Sequence, residues 1–98
     1  MKTSTLKNRL EKVENLSKNS KAYQVVNAFI SNERHAMIFG NIIRPCHISG
    51  KGRFCSNLDY TSNIKYILDK IGVKYESGND SSRGGLTGNY IKITSKIQ

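Results

Sequence analysis

Two cysteines and two histidines supply every soft or borderline metal ligand in this 98-residue chain, and they lie close together as His35, Cys46, His47 and Cys55. Four such groups converging tetrahedrally would suit zinc. The neighbours Cys46 and His47 cannot easily share one ion, however, and no Cys-x2-Cys or His-x3-His pair is present. The same residue types could form a thiolate nucleophile and its base, but no flanking signature of a cysteine enzyme accompanies them. A Cys46–Cys55 disulfide needs an oxidising compartment, and no apolar leader follows Met1-Lys2. These residues therefore predict two free thiols in a cytoplasmic protein with no metal, no cofactor and no enzymatic activity.

Cations and glycines make a different chemistry. Between Glu33 and Asp59 runs a 25-residue stretch with no acid, carrying Arg34, Arg44, Lys51 and Arg53 beside Gly50, Gly52 and Phe54. Glycine lets backbone N–H groups approach an anion, and arginine offers phosphate a bidentate fork. A second glycine-rich segment, Gly78 to Gly88, holds Arg83 between Ser82 and Gly84. It lacks the Gly-Lys-Ser/Thr ending of a P-loop and leads into a strand pattern, so a nucleoside triphosphate is not its expected ligand. Side-chain turns made by Asn79, Asp80 and Ser81 account equally well for those glycines.

The whole chain shares this bias. Sixteen Lys and Arg against seven Asp and Glu give a net charge of +9. An AT-rich gene explains many lysines, since Lys, Asn and Ile make up 32 of the 98 residues, but it does not explain the shortage of Glu. Such a chain attracts polyanions.

The elements that must position these groups are few. Leu6, Leu10 and Val13 mark a first helix, with Ser4 as its expected N-cap and Glu14–Lys18 as a supporting pair. Ser20 caps a second helix whose stripe is Ala22, Val25, Val26, Phe29 and Ile30. The short connection predicts an antiparallel helix pair. Residues 36–44 form a near-continuous apolar run whose branched side chains favour one strand. Pro45 to Asn57 reads as a long loop, of a length that is often functional. Ser56 and Asp59 resemble a capping box for a third helix, with Leu58, Ile64, Ile67, Leu68 and Ile71 on one face and Gly72 ending it. Strands follow at Val73–Ser77 and Tyr90–Ile97, the latter alternating Ile91, Ile93 and Ile97 against Tyr90, Lys92, Thr94 and Lys96.

The expected fold is one α+β domain over residues 1–98: two N-terminal helices, a third helix, and a small antiparallel sheet ending in a long-looped β-hairpin. The helix–hairpin ending resembles the last third of a winged helix, although 45–57 lacks the helix that likeness would require; the resemblance is architectural and carries no function. No run approaches ~18 apolar residues, so no membrane contact through a spanning helix is expected. The function expected is non-enzymatic binding of DNA or RNA through backbone phosphates, as in a small accessory protein of a phage, mobile element or AT-rich bacterium. Its candidate residues are Arg34, Arg44, Lys51, Arg53, Lys74, Arg83, Lys92 and Lys96. The alternative is a small interaction module or inhibitor that docks a basic face on an acidic protein partner.

Overall fold

The computed structural model describes residues 1–14, 17–35, 37–45, 58–80 and 88–97. Helix α1 spans Thr3–Glu11, α2 Lys21–Ile30 and α3 Leu58–Ile71, with strands β1 Ile38–Phe39, β2 Ile42–Ile43, β3 Tyr75–Asp80 and β4 Gly88–Ile93. The strands form one antiparallel sheet in the order β1-β2-β4-β3. This is the expected α+β class.

The helix ends show why these segments form helices. Ser20 Oγ accepts from the Tyr23 N–H at 3.2 Å, satisfying one of the N–H groups that the first turn of α2 leaves over. At its other end Asn32 adopts φ +56°, while Glu33 N–H donates to the Ala28 carbonyl at 2.8 Å and Asn32 N–H to Phe29 at 3.1 Å. That is a Schellman closure with Asn in the left-handed position. Helix α3 closes in the same way: Gly72 sits at φ +79°, with Val73 N–H on Leu68 at 3.0 Å and Gly72 N–H on Asp69 at 3.3 Å.

Helix α1 departs from expectation at both ends. Its N-cap is Lys2, which makes no side-chain capping bond, so Ser4 lies inside the first turn. The helix stops at Glu11, which leaves Glu14 and Lys18 without the helical spacing that would pair them. The main neighbour of α2 is α3, and α1 lies against both. Ser56 of the expected capping box lies outside the described residues.

Residues 36–44 also differ from the single strand expected. Gly40, at φ +66°, and Asn41 turn the chain back, pairing Phe39 with Ile42 and Ile38 with Ile43. A positive φ at the first of two turn residues is the pattern of a type II′ hairpin, which glycine adopts without strain. Asn41 then ties this hairpin to β4: its carbonyl accepts from Ile93 N–H at 2.8 Å.

The sheet has two unlike faces. Ile43, Ile91 and Ile93 point into a core built with Leu6 and Leu10 of α1, Val25, Val26 and Ile30 of α2, and Ile64, Ile67, Leu68 and Ile71 of α3. Their registered neighbours point the other way, as the period of two requires. On that outer face Phe39 faces Ile42, Ile42 faces Lys92, Lys92 faces Glu76, and Tyr90 faces Gly78.

Candidate functional site

The helices cover the inner face of the sheet, so the outer face carries whatever β2, β3 and β4 display. Its centre is Tyr90. A Cβ built on Gly78 would stand 2.7 Å from the Tyr90 hydroxyl oxygen, 2.9 Å from Cζ and 3.0 Å from one Cε. Two ring carbons and the hydroxyl so close to the missing side chain mean that the phenol leans across β3, into the space glycine leaves open. On the side of β2 the Arg44 guanidinium carbon is 5.7 Å from the ring centroid, within cation–π range.

Around this ring a shallow depression is lined by Ile42, Arg44, Asn79, Tyr90 and Lys92. Lys92 is exposed and faces exposed Glu76 across the β3–β4 pair. That carboxylate offsets part of the local positive charge. Phe39, at 40% exposure, extends the same face toward β1. Asn79 Nδ2 donates to Asn89 Oδ1 at 2.9 Å on the neighbouring pair and braces the β3–β4 ribbon.

The structure places the predicted residues unequally. Arg44, expected as a phosphate contact, is only 7% exposed, and its N–H donates to the Met37 carbonyl at 2.8 Å, extending the β1–β2 pairing. The same register that sets Ile43 beside Ile91 brings Arg44 beside Tyr90. Lys92 joins it on the outer face. Lys74 is exposed just before β3, with its N–H on Ser95 Oγ at 2.7 Å. Lys96 lies beyond β4, and its carbonyl accepts from the Met1 amino group at 2.9 Å. Arg34 is exposed beside a separate depression with His35, Ile38 and Phe39. Lys51, Arg53 and Arg83 lie outside the described residues.

The glycine-rich segment is shorter than expected as a loop. Gly78, Asn79 and Asp80 belong to β3 and Gly88 opens β4, leaving 81–87 outside the described residues. The last strand ends at Ile93, and Ile97 packs against the core from beyond it.

His35 is the one imidazole among the described residues. Its Nδ1 accepts from the Met37 N–H at 3.2 Å, which requires that nitrogen to be unprotonated. Burial, and then the charge of Lys21, hold its pKa below the ordinary imidazole value. This histidine acts as a structural acceptor. Cys46, His47 and Cys55 lie outside the described residues, among which no cluster of three metal-ligating side chains occurs. No helix among the described residues is long and apolar enough to cross a membrane.

Two features escaped the sequence reading. Tyr90 fell on the solvent face of an alternating strand, and its value as an aromatic platform depends on a glycine opposite it, which the hairpin register alone reveals. The second is a cleft between α1 and α3 lined by Arg9, Lys12 and Lys70 around Tyr66. Lys70 Nζ is 5.5 Å from the Tyr66 ring centroid. These cations sit where α1 and α3 end, and negative helix termini attract positive side chains. Comparison with protein-family models, curated proteins and solved structures finds no match to this chain.

Proposed function

We propose that the protein is a small, non-enzymatic nucleic-acid-binding domain that holds its ligand mainly through backbone phosphates, with the outer face of the sheet as its contact surface. The single observation that carries the reading is the asymmetry of that sheet: one face is covered by the helices, while the other carries Phe39, half-exposed Tyr90 backed by buried Arg44, and exposed Lys92. Aromatic rings beside an exposed ammonium suit a polyanion built of planar bases. The net charge of +9 adds long-range attraction. Lys74 and Arg34 extend the positive surface at its margins, and Lys51, Arg53 and Arg83 belong to the adjoining segments of chain. Of the phosphate contacts first expected, Arg44 takes a different part, bracketing the Tyr90 ring as well as supplying charge.

The test is direct binding to unrelated DNA and RNA probes over a salt series. Micromolar affinity near ~100 mM salt, with little dependence on sequence, supports the reading. No binding to any probe at ~50 mM salt, together with capture of one stoichiometric acidic protein, moves the assignment to a protein-docking module.

A further inference from the structure

We infer that the depression on the outer face is a nucleobase seat: an unpaired base stacks on the Tyr90 ring and Lys92 takes the adjoining phosphate, which makes single strands the preferred ligand. This rests on the nucleic-acid reading above and adds its ligand class. The argument begins with Gly78. A tyrosine beside an ordinary strand residue projects its ring away from the sheet and offers solvent an edge. Opposite glycine the ring reclines toward β3, as the 2.7–3.0 Å approaches to the missing Cβ demonstrate, and it remains half-exposed. Covering a strand glycine with an aromatic ring is itself a packing device. That device accounts for the face against Gly78. It does not account for exposed Lys92 and the apolar wall of Ile42 lining the same depression, while buried Arg44 supports the ring from the side of β2.

A half-exposed π system, an apolar wall and the exposed Lys92 ammonium together match a base joined to a phosphodiester. A paired base in a duplex cannot reach such a ring, because both of its faces are already stacked; only an unpaired base can. The seat is sequence-tolerant by the same logic, since every base has a π face.

The test compares a labelled, unstructured 12-nucleotide single strand with a duplex of the same length, at ~100 mM salt, on the wild type, Tyr90→Leu, Tyr90→Phe and Gly78→Ala. The single strand should bind wild type more tightly. Tyr90→Leu should weaken it by about tenfold, the loss of one base–aromatic stack, while leaving the duplex within about twofold. Tyr90→Phe should retain the single-strand affinity, and Gly78→Ala should reduce it by displacing the ring. NMR of the wild-type protein with the same single strand gives a readout that needs no variant to fold: upfield shifts of the base protons with shifts of the Tyr90 ring signals support the seat. Unmoved Tyr90 signals overturn it. If both probes bind and Tyr90→Leu alters both equally or neither, the nucleic-acid reading stands and the base seat falls. If neither probe binds at ~50 mM salt, both fall together.

Discussion

Arg9 of α1 donates from Nη1 to the carbonyl of Ile71, the last residue of α3, at 3.0 Å. The guanidinium satisfies a carbonyl that the helix end leaves over, and it places positive charge at the negative end of the dipole. The contact joins the first element of the chain to an element sixty-two residues later. It also passes close to Gly72: a Cβ there would stand 3.1 Å from Nη1. Glycine at this position thus serves both the left-handed backbone and the approach of Arg9.

That double role predicts non-additive mutants. Gly72→Ala should cost about 1–2 kcal/mol for the left-handed conformation alone. Arg9→Ala should cost about 0.5–1.5 kcal/mol, the usual net worth of one hydrogen bond, discounted because the side chain is exposed. Since the new methyl also crowds the guanidinium, the double mutant should lose less than the sum of the two. Urea denaturation of all four proteins measures this, and strict additivity would contradict it.

The two serines near helix starts should behave differently. Ser20→Ala removes the acceptor of the Tyr23 N–H and should destabilise the protein by about 1 kcal/mol. Ser4→Ala, inside the first turn of α1, should cost nothing, because alanine is the better helix former there. Equal losses in thermal or urea midpoints would show that Ser4 caps α1 after all.

His35 makes stability depend on acidity. Its folded pKa lies below the ordinary 6.5 because burial, and secondarily Lys21, disfavour the imidazolium. The unfolded chain therefore binds the proton first, and stability rises with pH across this window. The contribution is complete above about pH 6.5 and is lost as the pH falls through the lowered folded value. His35→Gln, which keeps a polar side chain but cannot titrate, should show a smaller loss of denaturation midpoint between pH 7 and pH 5 than the wild type. His47 is common to both proteins and cancels from the difference. Parallel pH profiles would contradict the assignment.

The helices were legible because their determinants are local. Ser20 and the stripe from Ala22 to Ile30 lie within eleven residues, and Gly72 follows the apolar face it terminates. The left-handed Asn32 was not read as a stop, since asparagine fills that role far less often than glycine. Gly40-Asn41 is a recognised two-residue turn, but it lay hidden within a run of isoleucines that suggested one strand. Gly78 to Asp80 read as loop from composition, whereas β4 supplies partners that hold them as strand. The alternation of β4 did reveal that Tyr90 and Lys92 share the outward face. The place of Arg44 beside Tyr90 could not be read locally, because it depends on a hairpin at 38–43 docking against a strand nearly fifty residues further on.

The salt dependence of binding to one unstructured oligonucleotide tests the central claim most directly. Log affinity should fall linearly with log salt, and Lys92→Ala, Arg53→Ala and Arg83→Ala should each flatten the slope by about one unit as one phosphate contact is lost. Lys7→Ala is the matched control: it removes the same charge from an exposed position on α1, in the layer behind the sheet. The account predicts an unchanged slope for that variant. Absence of binding at ~50 mM salt, or a slope altered as much by Lys7→Ala as by Lys92→Ala, would contradict it.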